Sequence, residues 1–224
     1  MITAEEFRNS ASWSRELEGA AFERALSGIT TGQYSKGSAV FGQGDLFDSW
    51  IGVVDGLLKM RTISLDGKEV SFAGLHAGAW FGEGSVLKGE LRRYEIVALR
   101  DTQLAFLDRA TFMWLFEHSP AFTRFLVHQL NERLGQFIAQ VESDRLLGPS
   151  TRMSRTIALL FNPILYPDVG LEMKITQEEL GLLAGITRPI ANQALKRLEA
   201  LELITVQYGT VTILDLDGLK TLSE

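Results

Sequence analysis

The chain has 224 residues, 46% of them apolar, and carries 22 Lys and Arg against 28 Asp and Glu for a net charge of −6. That length holds one large or two small domains and leaves no doubt about a buried core. With no cysteine, disulfides, thiol redox sensing and cysteine-ligated zinc or iron–sulfur sites are all excluded. No apolar run approaches the roughly eighteen residues of a membrane span and no charged-then-apolar leader opens the chain, so a cytoplasmic protein without membrane contact is expected.

Residues 1–30 read as helical, with a patchy apolar stripe of Leu17, Ala21, Phe22, Ala25 and Leu26 for the next domain to cover, and residues 1–14 are expected to be poorly ordered. Residues 31–107 change character. Glycines become frequent and short apolar runs alternate with turns, at 38–41, 51–54, 57–63, 70–75, 94–98 and 103–107. Asp66-Gly67 is a hairpin signal between two of them. Many short strands at close spacing predict a β-sandwich or small barrel. The three histidines, His76, His118 and His128, show no metal-ligand spacing. No metal is expected, and His76 is placed in a loop.

Residues 108–117 predict a short helix capped by Asp108. Pro120 then opens a long helix to about Leu147, roughly 40 Å at 1.5 Å per residue. Phe122, Leu126, Leu130, Leu134, Phe137 and Val141 recur along it at spacings of four and three, the pattern of a helix that pairs with its twin. Leu147-Gly148-Pro149-Ser150 ends the helix, and Ser150 is positioned to cap the next one, to Leu160. A loop through Asn162-Pro163, Pro167-Asp168 and Gly170 follows. The expected division is 1–119, 120–147 and 148–224.

Residues 174–198 read as a helix-turn-helix. Thr176 with Glu179 predicts a capping box. Leu180, Leu183 and Ala184 give a buried stripe, and Gly185 supplies the turn. Thr187 is placed to cap a second helix with Pro189 in its first turn. At 100° per residue, Arg188, Pro189, Asn192, Gln193, Lys196 and Arg197 share one half of that helix. Ile190, Ala191, Ala194, Leu195, Leu198 and Leu201 share the other. Arginine suits guanine edges, asparagine and glutamine suit adenine, and lysine suits phosphate. Two short apolar runs around Tyr208-Gly209 predict a hairpin, and helix-turn-helix plus hairpin is a winged arrangement. From Gly148 onward there are seven Lys and Arg against nine Asp and Glu. DNA binding therefore rests on clustering along one helix face, not on a basic domain.

Ile175-Thr176, Glu179-Leu180-Gly181, Gly185, Thr187-Arg188 and Leu195-Lys196-Arg197-Leu198-Glu199 resemble the DNA-binding segment of the cyclic-AMP receptor protein (Crp/Fnr) family. The resemblance extends over nearly the whole chain. It implies an α+β protein with an N-terminal cyclic-nucleotide-binding-like β-roll of the jelly-roll type, a dimerisation helix and a winged helix-turn-helix. It implies a homodimeric transcription regulator, not an enzyme, with double-stranded DNA and RNA polymerase as partners. Thr176, Thr187, Arg188, Pro189, Asn192, Gln193, Lys196 and Arg197 would meet DNA.

Phe81-Gly82-Glu83, Leu87, Gly89 and Arg92 look like the family's phosphate-binding cassette, in which Glu83 would accept from a ribose hydroxyl and Arg92 would pair with the phosphate. Gly82, Glu83, Arg92, Arg93, Phe137 and Ile138 make the candidate effector pocket. The chain departs from the family at Arg93 and Tyr94, which replace small residues, and at Phe137 and Ile138, which replace two hydroxyls offered to adenine. These departures disfavour cyclic AMP, and no cofactor is assigned. The alternative reading is a nucleotide-binding regulatory module that does not touch DNA.

Overall fold

The computed structural model describes residues 2–46, 48–167 and 169–223, so the expectations for Met1 and Asp168 lie outside the described residues. The N-terminal segment is ordered, contrary to expectation. Helix α1 (Ala4–Ser10) opens on a capping box between Thr3 and Glu6, a short 3-10 turn spans Ser12–Glu16, and α2 covers Gly19–Ser27. The reason is aromatic burial. Phe7 and Trp13 are at most 2% exposed. Trp13 packs at 5.1–5.2 Å, ring to ring, on Trp50, Trp80 and Phe122.

Among the described residues, eight strands follow in two four-stranded antiparallel sheets. They are β1 (Ile29–Tyr34), β2 (Ala39–Phe41), β3 (Ser49–Asp55), β4 (Leu57–Ile63), β5 (Glu69–His76), β6 (Trp80–Phe81), β7 (Glu95–Ala98) and β8 (Thr102–Asp108), with helix α3 (Glu83–Lys88) between β6 and β7. One sheet has the order β1-β8-β3-β6 and the other β2-β7-β4-β5. Ile51, Val53, Leu58, Met60, Ile96 and Leu104 fill the space between them. β1 and β6 carry no sequence alternation long enough to read. Thr30, Thr31, Gly32 and Gln33 are polar or small, and antiparallel pairing with β8 over six positions holds them as a strand.

Helix α4 (Arg109–His118) starts on the Asp108 carboxylate, which accepts from the Thr111 N–H at 2.8 Å. Helix α5 runs from Pro120 to Leu146 and has two different faces. Phe122 and Leu126 are each 1% exposed and belong to the aromatic core with Trp50 and Phe112. The expected seam is corrected there, because these two side chains are spent inside the protomer. Val127, Leu130, Leu134, Phe137, Ile138 and Val141 instead stand 41–61% exposed on one side of the helix.

Beyond the break at Leu147, α6 (Pro149–Leu160) begins on Gly148 with no side-chain cap, so Ser150 does not perform that role. The C-terminal unit continues with β9 (Glu172–Lys174), α7 (Gln177–Leu183), α8 (Arg188–Ala200), β10 (Ile204–Gln207), β11 (Thr210–Ile213) and α9 (Leu216–Thr221). Its sheet has the order β10-β11-β9. No helix among the described residues is long and apolar enough to cross a membrane.

Candidate nucleic-acid interface and sensor cassette

The reading head is built by two helices held at a fixed angle. In α7 the Thr176 hydroxyl accepts from the Glu179 N–H at 3.2 Å, and the Glu179 carboxylate accepts from the Thr176 N–H at 2.7 Å, so the predicted capping box is formed. Gly185 takes φ +63 at the turn into α8. Thr187 holds the N-cap position of α8, but its hydroxyl makes no cap bond. Pro189 has removed one of the two N–H groups that a capping hydroxyl would bind.

Ala191, Ala194, Leu195 and Leu198 bury one side of α8 in the head's core. Thr187, Arg188, Pro189, Gln193, Lys196 and Arg197 are exposed on the other, and so is Thr176 at the start of α7. Ile190 and Leu201, expected inside, are 38% and 47% exposed. Asn192 is half-buried and donates to the Gln177 side-chain oxygen at 2.8 Å, which ties the two helices together and commits one of its donors. At the wing tip, Tyr208 (φ +49) and Gly209 (φ +77) make the turn, and Tyr208 is fully exposed.

The sensor cassette is turned inward. Gly82 takes φ +91 at the start of α3, and a side chain there would collide with the Arg92 guanidinium. Arg92 is 1% exposed. It donates to the Gly82 carbonyl at 3.1 Å and the Ser49 carbonyl at 2.9 Å. It lies 4.9 Å from the Phe41 ring centroid. Burial lowers the Arg92 pKa, with Tyr94 and Glu83 opposing it. Burial likewise raises that of Tyr94. Glu83 is 5% exposed, accepts from the Trp50 indole at 3.4 Å and lies 3.7 Å from Arg133 of α5.

Three expected pocket members are elsewhere. The Arg93 side chain is 79% exposed and pairs outward with Glu90 at 3.1 Å, because it alternates with the inward Arg92. Ile138 projects from α5 at 61% exposure. Phe137 shares a small cavity with Phe72, Gly74, Gln140 and Leu160 instead of meeting Gly82 and Arg92.

Sequence reasoning missed the contact between the two units. The Arg100 guanidinium donates to both Glu179 oxygens at 2.9 and 2.8 Å and to the Lys174 carbonyl at 2.6 Å. Burial alone would raise the Glu179 carboxyl. The bonds from Arg100 and Thr176 outweigh it and hold the carboxyl below the usual carboxylate range. His76 ends β5 instead of lying in a loop. It is 4% exposed, one ring nitrogen faces the Leu160 carbonyl, and its ring is 4.1 Å from that of Tyr166. Burial pushes its pKa down against two carbonyl partners, Leu160 and Ala77. Tyr166 donates to the Gly74 carbonyl at 2.9 Å, and Leu57 and Leu99 of the sensor join the head's core.

Residues 31–119 match the cyclic nucleotide-binding domain, and residues 132–222 match the Crp-like helix-turn-helix domain. The chain is 31% identical over 189 residues to the cyclic AMP receptor protein of Thermus thermophilus, covering 84% of this chain and 86% of that one. It is 27% identical over 185 residues to the cAMP-activated global transcriptional regulator CRP of Pasteurella multocida, covering 81% and 88%. Among solved structures, the Thermus thermophilus catabolite activator protein superposes with a TM-score of 0.51 at 29% identity over 93% of this chain and 96% of the other. FixK2 from Bradyrhizobium japonicum reaches 0.72 at 18% identity over 88% and 98%, a likeness of fold. The chain belongs to the Crp/Fnr family of DNA-binding transcription regulators, with a cyclic-nucleotide-binding domain at its N-terminal side.

Proposed function

We propose that this protein acts in the cytoplasm as a homodimer that reads a pseudo-palindromic DNA site with α8, and that it does so without cyclic AMP. The observation that carries the reading is the exposed row of Arg188, Pro189, Gln193 and Lys196 on a helix fixed by a capped partner. Arg188, at the N-terminal end, would enter the major groove first and span O6 and N7 of one guanine. Gln193 would favour adenine, Pro189 would make apolar contact only, and Lys196 and Arg197 would hold phosphates. Val127, Leu130, Leu134, Phe137, Ile138 and Val141 would form the dimer seam. They recur at three and four residues and stand uncovered in the single chain. Residues 1–119 would sense, 120–147 would pair and relay, and 148–224 would read DNA and meet RNA polymerase.

The cassette supports a sensor that does not take cyclic AMP. Arg92 already has the Gly82 and Ser49 carbonyls and Tyr94 around its guanidinium. A phosphate would have to displace these partners. The two hydroxyls that the family offers to adenine are replaced by Phe137 and Ile138, which stand away from Gly82 and Arg92, so the adenine edge would lack those partners, at about 1–3 kcal/mol for each polar group left unpaired.

The test is binding-site selection on random DNA with the full chain, with and without cyclic AMP, together with calorimetry on cyclic AMP alone. The expected result is paired half-sites about 34 Å apart, unchanged by the nucleotide, and no heat at micromolar concentration. A single half-site would overturn the dimeric reading. Micromolar affinity for cyclic AMP would overturn the sensor reading.

A further inference from the structure

A cavity of about 530 Å³ opens at the elbow between α5 and α6, apart from both the cassette and the DNA face. That volume lies inside the range of about 300–1,000 Å³ that small-molecule sites occupy. Its walls come from both sides of the Leu147–Gly148 break, with α5 on one side and α6, the 162–164 loop and α9 on the other. We propose that this elbow is a binding site for a small amphipathic monocarboxylate.

Three observations converge on that chemistry. The Ser143 side chain lines the cavity, is 4% exposed, and its hydroxyl has no hydrogen-bond partner. A buried hydroxyl in that condition is a standing cost that a ligand acceptor would remove. The charges are segregated by element. Arg155, which donates to the Leu222 carbonyl at 3.5 Å, and Lys220, paired with Asp217 at 3.1 Å, line the head side, while Glu132 and Glu142 line the α5 side, and Glu132 is engaged by the Asn162 amide at 2.7 Å. One negative group is therefore drawn toward Arg155 of α6 and kept away from Glu132 and Glu142, and the two acids disfavour a polyanion such as a nucleotide phosphate. Between the two charged walls the surface is apolar, with Ala139, Leu147, Leu159 and Ile164. Ile164 is 56% exposed in the unliganded chain. A hydrocarbon body would cover these groups, and the carboxylate would sit between Arg155 and Lys220 with a hydrogen bond from Ser143. Because the walls straddle the break, an occupant would favour one angle between α5 and α6 and thereby one placement of the reading heads.

The test is calorimetry on the full chain with octanoate as the probe and octan-1-ol as its neutral twin. The expected result is one octanoate per protomer and at least tenfold weaker binding of the alcohol. Arg155→Gln should weaken octanoate about tenfold, and Ser143→Ala should weaken it a few-fold while leaving the free protein folded. Ala139→Phe fills the cavity from an exposed α5 position well round the helix from the apolar seam, and should abolish binding with circular dichroism and sedimentation unchanged. The proposal is overturned if wild type takes up no octanoate at millimolar concentration or if the alcohol binds as well. It is also overturned if Ala139→Phe leaves binding intact, or if that variant changes the dimer equilibrium, which would mean a second copy occupies the elbow.

Discussion

The reading helix and the sensor cassette carry family motifs of comparable strength, yet their side chains are in opposite states. On α8 the motif residues Arg188, Lys196 and Arg197 point to solvent, with the fold held by other side chains on the same helix. In the cassette the motif residues Arg92 and Glu83 are at most 5% exposed and already bonded within the chain. A motif states which groups are present, and exposure and hydrogen-bond accounting state whether they remain available to a ligand. The head passes the second test and the cassette does not.

The same distinction divides α5, and it gives the largest expected effects. Phe122→Ala removes a ring packed on Trp13, Trp50 and Phe112. It should cost about 3–5 kcal/mol of stability while the folded fraction keeps its oligomeric state. Leu130→Glu with Leu134→Glu should do the reverse. Both positions are more than 40% exposed in the single chain, so the protomer stays folded while like charges split the seam. Denaturant unfolding paired with sedimentation separates the two outcomes. If the double variant remains dimeric, the seam lies elsewhere.

The fold was legible wherever side-chain periodicity met a punctuating residue. The capping box at Thr176 and Glu179, the Asp108 cap and the Pro120 start all form as the sequence predicts. What stayed hidden depends on partners distant in the chain. Four- and three-residue spacing marks Phe122 and Leu134 alike, and only the presence of Trp13 and Trp50 beside Phe122 decides which is core. Arg100 shows no local signal at all, since its partner Glu179 is 79 residues away. In the candidate site the order of the head's residues could be read, but the inward turn of Arg92 could not, because it depends on carbonyls from Ser49 and Gly82.

Arg188→Ala should cost about 1–3 kcal/mol of specific affinity and relax selection at one base pair of each half-site. Lys196→Ala should weaken all sequences alike and lower the salt slope by about one. Binding-site selection at two salt concentrations checks both. A motif altered by the lysine change and untouched by the arginine change would reverse the roles of reader and anchor. On the cassette side the gain should be smaller. Tyr94→Ala removes one partner from Arg92 and opens space beside it. Affinity for cyclic AMP should rise by about tenfold, equivalent to about 1.4 kcal/mol, and calorimetry on wild type and variant measures the difference. No gain would mean that the loss of the family's two adenine-facing hydroxyls dominates the exclusion.

The smallest effect concerns the contact that joins the two regions. Glu179 holds the α7 capping box and also receives two hydrogen bonds from Arg100 of the sensor. Its carboxyl is held below the usual carboxylate range, so its contribution to docking is fully present above about pH 4.3, the ordinary glutamate value. That contribution is lost as pH falls through the lowered folded-state value. Leu57, Leu99 and the Tyr166–Gly74 bond remain in place through that window. The pair is also partly screened by solvent, so its loss should loosen the head by less than about 1 kcal/mol. Glu179→Gln isolates the charge, since glutamine also completes a capping box at this position but cannot ionise. Hydrogen exchange of the α7 amides should then show an acid-induced opening step below about pH 4.3 in wild type and a smaller one in the variant. Equal steps in both proteins would place the acid sensitivity of docking on other groups and leave Arg100 as a packing contact only.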